Sequence, residues 1–227
     1  MSKKQEEIYL EKEGDRWYTR GEHLLNSEDL SEHHKHEIEA HFRYFDKNKM
    51  APKRILEVGC SNGYALKIYK DRYKDSECFG VEPSSKAVKE GNEKFEGIKL
   101  FVGTGSDLSR FTDGYFDIVL VKGVFCWIGR DTLFKSLSEI DRVLCKDGHL
   151  IIGDYLPEYQ IKNRNHHLKE EEIYCFKTDH SKIFLSSHIY TLMYREVEFW
   201  EDGYKGKFGD NRYEITIMKK SYKDYYY

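Results

Sequence analysis

Long hydrophobic runs are missing from this chain. Nothing in it approaches the roughly 20 consecutive apolar residues that a membrane-spanning helix needs. Residues Met1 to Glu7 carry no apolar stretch of the signal-peptide kind, so neither anchoring in a membrane nor secretion is expected. Charge of one sign is also scarce. A formal net charge of -3 argues against a protein held to nucleic acid mainly by phosphate contacts. Cysteine is sparse, odd in number and scattered. Cys60, Cys78, Cys126, Cys145 and Cys175 offer no zinc or redox spacing, and a reducing cytoplasm is the simplest setting. Proline is rarer still, with three residues against 18 tyrosines. No fixed-period repeat is visible, which sets solenoids aside.

What the chain does have is length and aromatic mass. Its 227 residues favour one domain, or one domain with a small appendage, and suffice for a core without disulfide or metal staples. An aromatic content of 15% implies either a dense core or an aromatic-lined site.

Residues 1–50 read as a polar helical segment. Ser27 or Ser31 is placed to cap a helix, and Ile38, Phe42 and Phe45 recur at helical spacing. His33, His34, His36 and His41 share that helix. They read as a solvated face, and no metal is expected. From Arg54 short apolar runs alternate with amphipathic stretches. Strands are expected at Ile55–Val58, Cys78–Val81, Ile98–Val102, Phe116–Val121 and His149–Ile152. Helices are expected at 64–73, 84–94 and 131–144. Such βα alternation implies a doubly wound, Rossmann-like α/β sheet. After Asp154 the rhythm breaks into a polar insertion over about 155–187. Ile189–Trp200 and Arg212–Met218 then alternate in the manner of a terminal antiparallel hairpin, giving about seven strands. Residues 51–227 are thus expected to form the main domain, and 222–227 a frayed end.

The most informative segment is Ile55-Leu56-Glu57-Val58-Gly59-Cys60-Ser61-Asn62-Gly63-Tyr64, a buried strand running through a glycine-bearing loop into a helix. Ligands of open parallel sheets bind outside the carboxyl ends of the strands. The dinucleotide fingerprint would want glycines at 59, 61 and 64, but the chain has Gly59, Ser61 and Tyr64. No Lys-Ser/Thr pair makes a phosphate loop. Glu57 would repel a pyrophosphate and suit a ligand bearing an ammonium group. Glu82, with Pro83 after it, follows the second strand and can accept both hydrogen bonds of a ribose diol. Gly103 to Leu108 follows the third strand and Lys122-Gly123 ends the fourth, so all these elements share one sheet edge.

In this order, Glu57-x-Gly59-x-x-x-Gly63, Glu82, Ser106-Asp107-Leu108 and Phe116-Asp117, residues 50–155 resemble a class I S-adenosylmethionine-dependent methyltransferase. The resemblance implies S-adenosyl-L-methionine as cofactor and S-adenosyl-L-homocysteine as product. It implies that Gly59, Cys60 and Ser61 line the methionine end and that Gly63 packs beneath it. Glu57 would support the loop or the amino group, and Glu82 the ribose. Ser106, Asp107 and Leu108 would frame adenine, and Lys122 and Gly123 would lie beside the methionine. Thr104 departs from the acidic residue many members carry near adenine. Lys122 is unusual beside a sulfonium; its charge would point outward or bind a methionine carboxylate or an anionic substrate. The flanks Asp15 to Arg20 and His166 to Leu185 resemble methyltransferases of surface-glycan and nucleotide-sugar biosynthesis, which makes 1–50 a helical lid.

Several residues stay open between two readings. Trp17, Tyr18 and Arg20 either pack a helix or close over the cofactor, Tyr18 by cation–π attraction and Arg20 as a fork. Cys60 and Cys126 read as packing rather than as nucleophiles. Arg164, His166 and His167 either sit in a solvated loop or touch substrate. Asp179 and His180 either cap a helix or serve the reaction. A hydroxyl acceptor needs a base, for which His166, His167 and His180 stand first, with Asp154 and Asp179 behind; Arg164, Lys182 and Asp179 are the substrate-side candidates. The expected function is methyl transfer to a small polar acceptor such as a sugar or nucleotide sugar, without nucleic acid or membrane. The alternative is a non-catalytic partner protein of the same fold that holds the cofactor. Oligomeric state is not expressed in the sequence.

Overall fold

The structure is a computed structural model and describes residues 4–21, 32–165, 167–168, 170–199 and 212–221. Ser27, Ser31, His166 and the tail 222–227 lie outside the described residues.

Seven strands form one sheet. They are β1 (Arg54–Val58), β2 (Glu77–Glu82), β3 (Ile98–Val102), β4 (Phe116–Lys122), β5 (Leu144–Tyr155), β8 (Tyr190–Phe199) and β9 (Arg212–Lys220), in the order β3-β2-β1-β4-β5-β9-β8. The first five pair in parallel, and β9 runs antiparallel to both β5 and β8. The order reverses between β1 and β4, and such a switch point opens a crevice at the carboxyl ends of the strands.

Period-two alternation divides the core between the two faces. Ile55, Ile118, Leu120, Ile151 and Ile217 point to one face, against α3 (Glu32–Lys47), α4 (Tyr64–Arg72) and α5 (Ser85–Lys94). Leu56, Val58, Val119, Val121, Leu150 and Ile152 point to the other. There α6 (Leu133–Val143) lays Leu133, Leu137, Ile140 and Val143, at helical spacing, onto the sheet. The aromatic load is largely core: Tyr69, Phe45, Phe116 and Phe125 are among the largest fully buried side chains.

Two features differ from the sequence expectation. The segment 1–50 is not uniform. Ile38, Tyr44 and Phe45 of α3 belong to the main core, because polar Glu37 and His41 share their buried face and mask it in the pattern. The residues that reach across the sheet edge are α1 (Gln5–Ile8), a π-helical turn (Tyr9–Glu13) and α2 (Gly14–Gly21). The insertion after β5 is also more ordered than its polarity indicates. It holds an antiparallel ribbon of β6 (Ile161–Arg164) and β7 (Tyr174–Lys177), then the short α7 (Ser181–Ser186). No helix among the described residues is long and apolar enough to cross a membrane.

Candidate active site

The loop after β1 is a run of unusual backbone. Gly59, Ser61 and Gly63 have φ of 73°, 50° and 78°. Gly59 is obligatory on two counts: its φ is left-handed, and a Cβ there would lie 2.2 Å from Val124 Cγ2. Glu82, at the end of β2, holds this loop. Its carboxylate accepts the Ser61 N–H and the Ser84 N–H, each at 3.0 Å. Burial pushes the Glu82 carboxyl up to about 7, against the pull of those two donors. Four lone-pair sites on a carboxylate leave room for a diol beside them.

Glu57 and Lys122 face each other beneath the same loop. Lys122 Nζ lies 3.1 Å from Glu57 Oε1 and 4.0 Å from Glu37 Oε2, and all three side chains are buried. Burial works against the lysine charge, but the two carboxylates outweigh it and raise its pKa. Of the readings left open for Lys122, a charge pointing outward does not hold, because buried carboxylates claim it. Glu37 was not singled out in the sequence. Burial lifts it to about 7; Lys122 opposes the lift, Glu57 adds to it, and Tyr213 Oη donates to its Oε1 at 3.5 Å. Asp154, fully buried at the end of β5, accepts the N–H of Cys126 and of Tyr155 and is raised by burial to about 6.

The N-terminal segment is seated across this edge. Glu6 accepts from the Ser106 and Thr104 hydroxyls, at 2.5 and 3.3 Å. Gln5 bonds both the carbonyl and the N–H of Tyr174 in β7, and donates to the Trp127 carbonyl. Gly14 packs on the Pro83–Ser84 backbone, where a Cβ would come within 3.0 Å of Pro83 C. Asp15 accepts from Ser84, Ser85 and the Lys86 N–H at the start of α5. Tyr18 is buried and accepts from Asn62 Nδ2 in the glycine loop. Arg20 pairs with Glu13, whose Oε1 also takes Asn165 Nδ2. Glu6 and Glu13 were not singled out in the sequence because polar residues on short helices carry no periodic signal, nor was Asn165, which lies outside any helix or strand. Trp17, by contrast, is 45% exposed.

Other expected site residues are dispersed. Leu108 is fully buried in the core and Asp107 is exposed, so only Ser106 of that trio presents a buried hydroxyl at the edge. Cys60 and Cys126 are buried with thiols pushed up by burial, the opposite of an activated nucleophile. His180 is buried and stacked on Phe125; burial, with Arg130 nearby, lowers it to about 3. Its ring is neutral. Asp179 accepts from Ser181 Oγ and Lys182 N at the start of α7, the capping arrangement. Arg164 lies exposed on β6, and His167 is exposed with its N–H donated to Asn165 Oδ1.

The arrangement fits an adenosyl sulfonium. Ser61 Oγ and Glu57 Oε2 are buried without a hydrogen-bond partner among the described residues, one a hydroxyl and one a carboxylate oxygen suited to an ammonium. Gly123 has φ of 62°, and a Cβ there would meet nothing within 4 Å, which marks open space above the end of β4. Residues 56–152 match the family described as a methyltransferase domain. Over that stretch the chain is similar to a class I S-adenosylmethionine-dependent methyltransferase domain. Its cofactor is S-adenosylmethionine, and its product S-adenosylhomocysteine.

The methyltransferase stretch is similar to a malonyl-[acyl-carrier protein] O-methyltransferase of Legionella pneumophila, 26% identical over 48% of this chain and 39% of that protein. It is similar to a demethylmenaquinone methyltransferase of Thermus thermophilus, 28% identical over 47% of this chain and 49% of the other. The chain thus spans about half, or less, of those proteins' lengths. Among solved structures, a Burkholderia thailandensis 1,6-didemethyltoxoflavin-N1-methyltransferase bound to its substrate and S-adenosylhomocysteine shares the fold. It aligns with a TM-score of 0.63 at 13% identity, over 82% of this chain and 78% of that one.

Proposed function

We propose that this methyltransferase moves the methyl group of S-adenosylmethionine to a small polar acceptor, with a sugar or nucleotide sugar as the favoured class. The observation that carries the proposal is the convergence at one sheet edge of the Glu82-held glycine loop with two carboxyls of near-neutral pKa, Glu37 and Asp154. When bound, the cofactor supplies a methyl group on a cationic sulfur, a leaving group that needs no acid.

The chain's own residues do the rest. Glu82 and the Ser61 backbone hold the ribose side, and Glu57 Oε2 and Ser61 Oγ the amino-acid side. The N-terminal helices exclude water and hold the reacting groups together, an effect that can supply roughly 7–11 kcal/mol. A hydroxyl acceptor gives up its proton as the new bond forms. Glu37 takes that proton on its carboxylate, because its pKa of about 7 matches the task, whereas His180, lowered to about 3, is too weak a base for it. Lys122 keeps Glu37 ionised for part of the population. A phosphate-bearing acceptor is supported by cations on and beside the β6–β7 ribbon: Lys162 over the Tyr174 ring, Arg130 over Phe176 and Lys177 over Tyr155.

The test is transfer of isotope-labelled methyl from the cofactor to a panel of sugars, nucleotide sugars and other small hydroxyl compounds. Label in a sugar product supports the reading, and label only in non-sugar acceptors overturns the sugar class. Tight binding of S-adenosylhomocysteine with no transfer to any acceptor favours the non-catalytic partner instead.

A further inference from the structure

We propose that His36, Glu196 and Glu198, with His33 beside them, form a binding site for a zinc-class divalent metal ion, which fastens the start of α3 to the edge strand β8. The proposal is independent of the methyltransferase reading. No sequence spacing announces it, since the ligands come from two elements some 160 residues apart, and the histidines read as a solvated face.

The geometry starts with two local periodicities. His33 and His36 are three apart on a helix and share a face. Glu196 and Glu198 are two apart on a strand and share a face. The fold lays one face against the other. His36 Nε2 lies 2.9 Å from Glu196 Oε1 and 2.5 Å from Glu198 Oε1. His33 Nδ1 lies 3.2 Å from Glu198 Oε2. His36, Glu196 and Glu198 are the one group among the described residues whose ligand atoms all lie within 4.8 Å of one another, and His33 stands beside it, on the other oxygen of Glu198.

Hydrogen bonding alone answers this arrangement poorly. A ring nitrogen carries one proton along one in-plane direction, yet two carboxylate oxygens converge on His36 Nε2. Two like charges on one strand face also repel. A divalent cation at the point of convergence neutralises both carboxylates and takes a lone pair from the neutral His36 imidazole. One imidazole and two carboxylates are a three-ligand zinc-type set with a fourth position left for water, in which bonds of about 2.0 Å set donor atoms roughly 3.3 Å apart. His36 Nε2 stands 2.9 and 2.5 Å from the two carboxylates, inside that spacing, so it moves outward by fractions of an ångström. The surroundings orient the ligands. Tyr194 Oη and Arg43 engage Glu196 Oε2, which turns Oε1 toward His36. The His33 ring stands edge-on to Tyr213 with centroids 4.6 Å apart. The ligands are about one-fifth to two-fifths exposed, open enough for an ion to enter. Glu37 follows His36 directly, so the ion fixes the helix register that places Glu37 in the site.

The test uses the full chain stripped with a chelator and titrated with Zn2+ by calorimetry, with Co2+ as a spectroscopic probe. One ion per chain, a raised melting temperature and the visible absorption of tetrahedral Co2+ are expected. His36→Ala and Glu198→Gln should each weaken binding at least about tenfold while circular dichroism stays unchanged. Glu196→Gln, nearly isosteric, serves as the second check should either variant misfold. Absence of saturable one-to-one binding overturns the proposal. So does equal affinity in the variants, which places the ion elsewhere, or a melting temperature that falls in His36→Ala but never responds to metal, which leaves an ion pair only.

Discussion

Lys122 Nζ lies 3.1 Å from Glu57 Oε1, with both side chains buried beneath the glycine loop and Glu37 4.0 Å from the same ammonium. One cation therefore holds two carboxylates that water does not reach. Removing it leaves both unpaired, whereas removing one carboxylate leaves a pair. Lys122→Ala should destabilise the chain by about 3–5 kcal/mol, read from urea unfolding. Lys122→Met/Glu57→Gln should recover a large part of that loss, because only Glu37 then lacks its cation, and with a pKa of about 7 it can take a proton instead. Equal stability of the Ala variant and the native chain would show the pair to be solvated.

Glu82 organises the cofactor loop before any ligand arrives, through the Ser61 and Ser84 N–H groups. Glu82→Ala removes both the loop's acceptor and the ribose's. Affinity for S-adenosylhomocysteine, measured by calorimetry, should fall at least about tenfold. Gly59→Val combines a left-handed φ with a collision at Val124 and should abolish binding while circular dichroism remains that of a folded chain. Unchanged affinity in Glu82→Ala would remove the ribose assignment.

The sheet was legible because buried parallel strands are short apolar runs. Ile98–Val102 was read to the residue, and the helix expected over 84–94 runs from Ser85 to Lys94 with Ser84 as its cap. The terminal hairpin was legible from its alternation. The cofactor loop was legible because its glycines and Glu82 are close in sequence to strands that end at one edge. The reaction side was not. Glu37 sits among mostly polar neighbours on α3, and nothing in a single sequence separates a buried glutamate from an exposed one. Lys122 was seen, but its partners Glu57 and Glu37 come from distant segments. The β6–β7 ribbon was hidden because each strand has only four residues and β6 carries mostly polar, exposed side chains, too little for a period to show.

Glu37 has a folded pKa of about 7 against an ordinary value of 4.5. The fold therefore favours its protonated form. The stability this contributes is complete below about pH 4.5 and is lost as pH rises through 7, by at most on the order of 3 kcal/mol. Glu37→Gln is neutral at every pH and escapes that loss. Urea midpoints of the native chain should thus fall relative to the variant between pH 4.5 and 7 and run parallel above. Turnover moves the other way. If Glu37 accepts the acceptor's proton, kcat of the native chain rises through pH 7, and Glu37→Gln is slow throughout. Parallel stability curves across the whole range would mean that the carboxyl titrates normally.

Asp15 joins the N-terminal helices to the nucleotide side of the sheet. Its Oδ1 accepts Ser84 Oγ at 2.8 Å and the Lys86 N–H at 3.0 Å, and its Oδ2 accepts Ser85 Oγ at 3.2 Å. A residue of α2 thus caps the N-terminus of α5, next to Glu82 and Pro83. The donors hold its carboxyl below the usual range against the opposing effect of desolvation. Asp15→Ala should cost about 1 kcal/mol in global stability, the ordinary worth of a helix cap. Its larger effect should be local. Without this tie, α2 retains the Tyr18–Asn62 contact and the Arg16–Glu170 pair, the latter exposed and weak. Trypsin should then cut after Arg16 and Arg20 earlier than in the native chain, and S-adenosylhomocysteine should slow the cleavage in both. Asp15→Asn keeps the shape and one acceptor and should fall between them. Cleavage of Asp15→Ala at the native rate would mean that the lid is held by its other contacts, those of Gln5, Glu6 and Tyr18 among them.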